Sequence, residues 1–120
     1  MIAAPIYAVQ SMVSAVAHGG SRDMLLGPHA SPEMQRAHSP AHNVTATTPP
    51  CFMAHAEDDT TVSVENTLEM RAALKAAGVK VETHLFTAGQ HGLGLPGPAG
   101  EPARHWREMF VAWARTQGLG

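Results

Sequence analysis

The stretch that decides the fold is residues 51–86, which read CFMAHAEDDTTVSVENTLEMRAALKAAGVKVETHLF. Its first four residues, Cys51–Ala54, are an apolar run that follows two prolines, a pattern typical of a buried strand. Its last eight residues, 79–86, alternate in polarity and predict a second strand whose odd-numbered side chains lie on the better buried face. Between them, residues 65–77 predict a helix, so the unit is β-α-β.

Helix signals fit these bounds. Ser63 can cap the start of the helix, Glu65 lies in its first turn, and Gly78 stands where a left-handed residue ends a helix. A crossover helix joins parallel strands, whose carboxyl ends meet at one edge of the sheet. Asp59 and His91 each follow a strand by a few residues. We therefore expect these two side chains to lie together in the crevice where open α/β sheets bind ligands.

A carboxylate beside an imidazole suits acid–base chemistry, because it holds the imidazole in one tautomer and stabilises the imidazolium. The alternative is structural. An Asp-Asp-Thr-Thr stretch such as residues 58–61 is commonly a solvated turn or a capping segment. The joint placement of Asp59 and His91 at one sheet edge favours the chemical interpretation.

The same residues resemble the α/β-hydrolases, and among them the carbohydrate and acetyl esterases. Residues Thr48–Asn66 resemble the segment that carries the acid of the catalytic triad in that family, and Gly89–Leu95 resemble its histidine loop. The likeness is specific over Thr48–Leu95 and looser upstream, in Pro5–Tyr7 and His18–Glu33. It covers almost the whole chain but only the C-terminal half of such an enzyme.

The resemblance implies Asp59 as the triad acid and His91 as the base. Asp58 is the competing carboxylate, but neighbouring residues of an extended segment point in opposite directions, so only one can face His91. The implied fold is α/β, a partial α/β-hydrolase fold with about three parallel strands, a crossover helix, a long loop insertion and a C-terminal helix.

The nucleophile of that family lies in a Gly-x-Ser-x-Gly turn upstream of the acid. None of the serines of this chain has glycine both two residues before it and two residues after it. The serines are Ser11, Ser14, Ser21, Ser31, Ser39 and Ser63. Ser21 comes nearest, with Gly19 before it but Asp23 after it. The segment His18-Gly19-Gly20 is similar to the oxyanion loop of lipases but lies at the wrong place in the fold, so we expect Gly19 and Gly20 to be turn residues.

Composition limits the possible functions. The chain has 120 residues with 44% hydrophobic content, which suits a single domain over residues 1–120. Its formal net charge of −2, with only 8 Lys and Arg, makes nucleic acid an unlikely partner. No apolar run is long enough to span a bilayer, so we expect no membrane partner. The single Cys51 is expected to be a buried hydrophobe, and nothing in the sequence indicates a compartment.

The chain has 8 histidines, enough in number for a metal site. His38 and His42 have helical spacing, but Pro40 between them disfavours a regular helix. We therefore predict neither a bound metal nor a cofactor.

The remaining segments flank the β-α-β unit. Residues 5–9 predict a short strand, and residues 18–50 predict a long loop or cap-like insertion that five prolines interrupt, with at most a brief helical turn at 34–37. Two interpretations of its apolar side chains stay open: they line an acyl or alcohol pocket, or they anchor the loop. These side chains are Met24, Leu25, Leu26 and Met34.

The C-terminal part predicts a loop and then a helix. Residues 89–100 are rich in Gly and Pro, which suits a loop that presents His91. Pro102 fits the first turn of the last helix, and an aromatic stripe at helical spacing predicts packing against the sheet. The stripe consists of Trp106, Met109, Phe110 and Trp113.

The leading functional hypothesis is a serine-hydrolase-type carboxylic ester hydrolase, acetyl or feruloyl esterase-like, to which this chain contributes acid and base. The expected partner is a small-molecule ester. One alternative is a non-catalytic remnant that acts as an oligomerisation or binding module, and another is a hydrolase that uses Ser21 as an unrecognised nucleophile. Because strands taken from a larger parallel sheet leave an open edge, we also expect the chain to self-associate or to need a missing N-terminal half.

Overall fold

A computed structural model of the chain describes residues 1–13, 15–93 and 102–119. Within these ranges, two strands and four α-helices follow one another along the chain, with short 3₁₀ turns at Pro40–His42 and Ala103–His105. In chain order the elements are α1 (Gly19–Leu26), α2 (Pro32–Ala37), β1 (Cys51–Ala56), α3 (Glu65–Ala76), β2 (Val81–Phe86) and α4 (Trp106–Thr116).

The predicted β-α-β unit is confirmed. β1 and β2 pair in parallel, in a register that runs from Cys51 opposite Val81 to Ala56 opposite Phe86. Gly78 has a φ of 73°, the left-handed conformation that favours glycine after a helix. The crossover α3 therefore returns the chain so that both strands end at the same edge.

The N-terminal segment lies on the other side of β1. It pairs in parallel through two isolated bridges, Ala3 with Cys51 and Ile6 with Ala54, and not through the continuous strand predicted at residues 5–9. Ala3 N–H donates to Pro50 O at 2.9 Å and Tyr7 N–H donates to Ala54 O at 2.8 Å. Regular parallel pairing would place one more hydrogen bond, from the N–H of residue 5 to β1, between these two. Pro5 has no N–H to donate, so this bond is missing. β1 is thus central, with parallel chain on both sides.

Burial along residues 79–86 agrees with the prediction at the start and differs at the end. Val79 is buried and Lys80 exposed, as expected for a buried odd-numbered face, but Leu85 is 39% exposed whereas Phe86 is 6% exposed. The reason is that helices cover both faces of the sheet. Polarity alternation indicates a buried face only when the other face meets water.

Two apolar clusters lie on opposite faces of β1. One is formed around Phe52 with the aromatic residues of α4, where the Phe52 ring lies 5.6 Å from Phe110 and 5.7 Å from Trp113. The predicted packing of the C-terminal helix on the sheet is therefore confirmed. The other cluster joins Cys51 and Met53 to α3. All six residues of β1 are buried between these layers.

The long connection at residues 18–50 contains two short helices. Gly19 and Gly20, expected in a turn, begin α1 because the His18 side chain accepts a hydrogen bond from the Ser21 N–H and caps the helix. α2 is longer than the brief turn expected, because Ser31 caps it and Pro32 occupies its first position.

Of the four apolar side chains singled out in this connection, three are exposed to solvent and Leu26 is partly buried. Met24 is 90% exposed, Leu25 59% and Met34 44%. The three exposed side chains do not anchor the connection to the described part of the chain, and the interpretation as pocket-lining residues stays a prediction.

Candidate active site

Asp59 lies in a tight turn directly after β1. Its backbone N–H donates to Ala56 O at 3.2 Å, and its Oδ1 accepts hydrogen bonds from the backbone N–H groups of Thr61 (2.9 Å) and Val62 (2.8 Å). This is the local bonding that lets an aspartate both make a turn and fix its own carboxylate. The side chain is 0% exposed, and its second oxygen, Oδ2, is directed toward the histidine loop.

His91 reaches that second oxygen. Its Nδ1 lies 2.9 Å from Asp59 Oδ2, so the two side chains that the sequence predicted to meet do lie together. Asp58 does not compete for the imidazole. Its Oδ1 accepts a hydrogen bond from the backbone N–H of Gln90 at 2.8 Å. This bond ties the histidine loop to the turn that carries Asp59, called the acid turn below. Asp58 thus contacts the backbone of the loop, whereas Asp59 contacts the His91 side chain.

A third part of the sheet edge contributes Tyr7. Its ring lies 4.6 Å from the His91 ring in an edge-on arrangement of 67°. Tyr7 has a φ of 41°, an uncommon conformation for a non-glycine residue, at the point where the N-terminal segment leaves the sheet. The ends of all three parallel segments therefore meet at this site.

The histidine loop passes too close to other residues for a side chain at Gly89. A Cβ at that position would lie 2.6 Å from Leu93 Cδ2 and 3.0 Å from Ala103 Cβ. Glycine therefore allows the loop to pack down and present His91. Of the predicted loop at 89–100, residues 94–100 lie outside the described residues.

Sequence reasoning missed His55, a second histidine on the same carboxylate. Its Nε2 lies 3.0 Å from Asp59 Oδ2 and 2.8 Å from Val62 O, and its Nδ1 lies 2.8 Å from Thr67 Oγ1. Because both neighbours of Nε2 are acceptors, Nε2 carries the proton and Nδ1 accepts from the Thr67 hydroxyl. The ring is 0% exposed and fully hydrogen-bonded.

One signal could have found it. His55 is the only polar residue in the buried strand Cys51–Ala56, and a polar side chain in such a strand needs partners nearby. Asp59, four residues later and just past the end of the strand, is one such partner.

Burial and hydrogen bonding act in opposite directions on Asp59. Burial raises the pKa of its carboxyl, but the hydrogen bonds from the Val62 N–H, from His91 and from the Thr61 N–H together outweigh it. The pKa of Asp59 consequently lies below its ordinary value. The group stays ionised next to His91 over the whole neutral range.

The arrangement is suited to proton transfer at His91. The carboxylate accepts from Nδ1–H, which leaves Nε2 as the basic nitrogen of the neutral ring. The hydrogen bond that His91 makes among the described residues is through Nδ1, and its side chain is 35% exposed. The buried Asp59 carboxylate and the accessible His91 ring have the exposures that a general base serving an external group requires.

The serines do not join this pair through any contact seen in the described part of the chain. Ser21 Oγ lies 2.9 Å from His18 Nδ1 within the cap of α1, and Ser11 and Ser39 are buried. Ser14 lies outside the described residues.

Metal-binding clusters and membrane-spanning helices are both absent from residues 1–13, 15–93 and 102–119. No group of three or more His, Cys, Asp and Glu side chains is arranged there to hold a metal ion. No helix there combines the length and apolar character that crossing a bilayer requires.

Comparison with known proteins assigns the chain to a family. The sequence model of the prolyl oligopeptidase family matches residues 1–117. The chain belongs to the prolyl oligopeptidase family. Its sequence is also 34% identical, over 76 residues, to an endo-1,4-beta-xylanase B of Butyrivibrio fibrisolvens; the match covers 63% of this chain and 12% of that protein.

Solved structures extend the likeness to ester hydrolases. An acetyl ester-xyloside bifunctional hydrolase from Caldicellulosiruptor lactoaceticus superposes with a TM-score of 0.91 at 36% identity, over 98% of this chain and 43% of that one. The carboxylesterase Cest-2923 of Lactobacillus plantarum superposes with a TM-score of 0.79 at 21% identity, over 98% of this chain and 45% of that one. The predicted resemblance to α/β-hydrolases of the esterase type is thus confirmed, and the fold is part of theirs.

The chain spans less than half the length of these structures, 43% and 45% respectively. The shared portion includes the acid turn and the histidine loop, because the match covers nearly the whole of this chain.

Proposed function

We propose that Asp59 and His91 are the acid and the general base of a serine-type carboxylic ester hydrolase. The observation that carries this proposal is the 2.9 Å contact between Asp59 Oδ2 and His91 Nδ1, with the acid buried and the base accessible. Family membership and the ester hydrolases among the similar structures support the same chemistry.

In the proposed cycle a serine hydroxyl attacks the ester carbonyl carbon while His91 Nε2 takes the hydroxyl proton. Asp59 stabilises the resulting imidazolium by accepting from Nδ1–H. The tetrahedral intermediate then expels the alcohol, which receives the proton from His91, and an acyl-serine remains. Water attacks the acyl-serine with His91 again as base, which releases the carboxylic acid and restores the serine.

The nucleophile is proposed to lie outside these 120 residues. No serine here stands in a Gly-x-Ser-x-Gly turn, and Ser21 is engaged with His18 in a helix cap. Because triad members act as a unit, the chain alone should show little beyond background turnover. A fluorophosphonate probe should label no serine of the isolated chain, and Ser21→Ala should leave any residual hydrolysis unchanged.

The proposed substrate class is an acetyl or feruloyl ester of a carbohydrate. Its support is the similarity, at 36% identity, to a hydrolase described as acting on an acetyl ester and a xyloside. None of the contacts described above identifies a sugar-binding group, so the comparison alone favours this class.

A chimera gives the direct test. These 120 residues would replace the matching part of the Caldicellulosiruptor hydrolase, and hydrolysis of an acetylated xyloside and of p-nitrophenyl acetate would be measured. In an active chimera, His91→Ala and Asp59→Asn should each lower kcat/KM by on the order of 10³-fold or more.

The matched control is Asp58→Asn, next to the acid. Asp58 holds the backbone of the histidine loop and not the imidazole, so this change should cost on the order of tenfold or less. Activity that survives His91→Ala, or that falls equally in the Asp58 and Asp59 variants, would contradict the proposed roles.

The second candidate, a non-catalytic oligomerisation or binding module, is favoured by one observation. The chain lacks the nucleophile motif but retains a regular strand, β2, that pairs on one side only within the described ranges. An inactive chimera with native-like folding, together with defined self-association of the isolated chain, would favour this module over the hydrolase.

A further inference from the structure

The lateral edge of β2 is open among the described residues. β2 pairs with β1 on one side, and no strand or bridge in the described ranges pairs with it on the other. The N-terminal segment also borders the sheet, but Pro5 interrupts its pairing. β2 is thus the one regular strand of the described sheet with a continuous unpaired edge, and such edges template association.

The residues that face this edge follow from the sheet bonds. Cys51 N–H donates to Lys80 O at 3.0 Å, and Glu57 N–H donates to Phe86 O at 2.7 Å. Even-numbered residues of β2 therefore direct their backbone groups toward β1. The N–H and C=O groups of Val81, Thr83 and Leu85 point to the open edge.

We propose that this edge pairs in antiparallel fashion with the same edge of a second copy, about a two-fold axis at Thr83. In this register Thr83 lies opposite the second Thr83, and Val81 lies opposite Leu85 of the other copy. These are hydrogen-bonded pairs, so the outward backbone groups satisfy one another. A two-fold axis gives a closed dimer and leaves no further open edge of β2.

The side chains complement one another in the same register. Glu82 lies opposite His84 of the other copy, and His84 lies opposite its Glu82. Within one chain these two side chains already lie 2.9 Å apart on one face, so pairing produces a ring of alternating acid and imidazole groups. On the other face Val81 meets Leu85, whose side chain is 39% exposed in the single chain.

Neighbouring two-fold registers lack this complementarity. An axis at Glu82 places two carboxylates opposite each other, which is destabilising. An axis at His84 places the two imidazoles opposite each other and leaves Glu82 opposite the apolar Phe86, so both acid–imidazole pairs are lost. The side chains of β2 therefore favour the register at Thr83.

Grooves on both sides of the strand leave room for the second copy. One of about 360 Å³ lies between β2 and α4, lined by Glu82, His84, Met109, Ala112, Trp113 and Thr116. One of about 460 Å³ lies beside α3, lined by Arg71, Lys75, Val79, Val81, Glu82 and Thr83. Contacts beyond the strand are needed, because a stable interface buries more area than one strand provides.

A mixing experiment tests the register. Glu82→Lys alone places an ammonium group opposite the His84 imidazole, and His84→Glu alone places two carboxylates opposite each other. Each variant should therefore dimerise on the order of tenfold more weakly than wild type in sedimentation velocity. When the two variants are mixed one to one, the new lysine at position 82 faces the new glutamate at position 84, and His84 of the first variant faces Glu82 of the second. A heterodimer should therefore form with wild-type affinity. Glu33→Lys, on the distant helix α2, is the matched charge control and should dimerise as wild type does.

A backbone variant tests the edge separately. Thr83→Pro removes an outward N–H without touching the bonds to β1 and should abolish the dimer, whereas Thr83→Val keeps that N–H and should leave the dimer dissociation constant within about threefold of wild type. Circular dichroism confirms folding of each variant. Three results would overturn the proposal. They are a wild-type chain that stays monomeric at about 100-fold the concentration of the other measurements, a mixture of the two charge variants that dimerises no more tightly than either variant alone, and a dimer that persists in folded Thr83→Pro.

Discussion

The two strands of the sheet have equal length and pair residue for residue, yet they differ in surroundings. All six residues of β1 are buried, whereas Phe86 is the single buried residue of β2. β1 lies between parallel neighbours and under helices on both faces, and it ends in the acid turn. Among the described residues, β2 has no neighbour on one side. The central strand therefore holds the Asp59 turn between packed neighbours, which the proposed role of Asp59 as a catalytic acid requires, and the edge strand carries the surface that the proposed dimer would use.

The largest expected difference between the strands is in core stability. Phe52→Ala on β1 should lower the free energy of unfolding by about 3–5 kcal/mol, because it leaves a cavity between the aromatic residues of α4. Leu85→Ala on β2 should cost less than about 1 kcal/mol because Leu85 is 39% exposed. Urea denaturation measures both. Similar losses for the two variants would contradict the contrast.

The second-largest difference is expected in the effect on stability of replacing the histidine of each strand. His55→Phe should cost about 1–3 kcal/mol, because it leaves Val62 O and the Thr67 hydroxyl without partners in a site that excludes water. It should also alter the chemical shift of the His91 Nδ1 proton, since both rings share Asp59 Oδ2.

His84→Phe on β2 is the matched control, measured at low protein concentration. His84 contacts Phe52 at 5.3 Å and Glu82 at 2.9 Å but is not enclosed, so the change should stay within about 0.5 kcal/mol. A His91 proton signal that moves equally in both variants would exclude a specific effect of His55.

A smaller effect is expected from the ionisation of Asp59. Its pKa is lower in the folded chain than the roughly 3.9 of an unfolded aspartate. The group therefore adds stability that is fully present above about pH 4 and is lost as the pH falls through the folded pKa. The difference in unfolding free energy between wild type and Asp59→Asn should shrink on acidification from about pH 6 to about pH 2. A difference in unfolding free energy that is constant over this pH range would contradict a lowered pKa of Asp59 in the folded chain.

The smallest effect should be a gain on β2. Thr83→Val replaces a buried hydroxyl that has no partner in the described part of the chain, so the monomer should gain up to about 1 kcal/mol. Thermal unfolding at low protein concentration measures it, with Thr83→Ser as a control that keeps the hydroxyl. A loss of stability in Thr83→Val would indicate that the hydroxyl has a partner in the folded monomer.

Local patterns in the sequence were sufficient for much of the fold. The crossover helix, its glycine stop and the two parallel strands follow from side-chain periodicity and capping, which act over a few residues. The meeting of Asp59 and His91 also followed, because parallel strands end at one edge. Their catalytic roles stay predictions.

What failed depended on distant neighbours. The burial at the end of β2 was predicted wrongly because α4, far along the chain, covers Phe86, on the side that polarity alternation assigns to water. The interrupted pairing of the N-terminal segment depends on Pro5 lying beside β1, a long-range register that no local pattern specifies. His55 was overlooked because its partners lie in three separate places, the acid turn, Val62 and α3.

The amino-acid sequence alone determined the order of strand, helix and strand and the presence of a carboxylate and an imidazole just beyond the strand ends, because backbone preference and polarity are local properties. Only the tertiary structure decided how one carboxylate is shared between a buried and an accessible histidine, which side of β2 is covered, and which edge stays open among the described residues. These depend on packing between residues far apart in the chain, where free energy comes from burial and hydrogen bonding that no short segment can achieve alone.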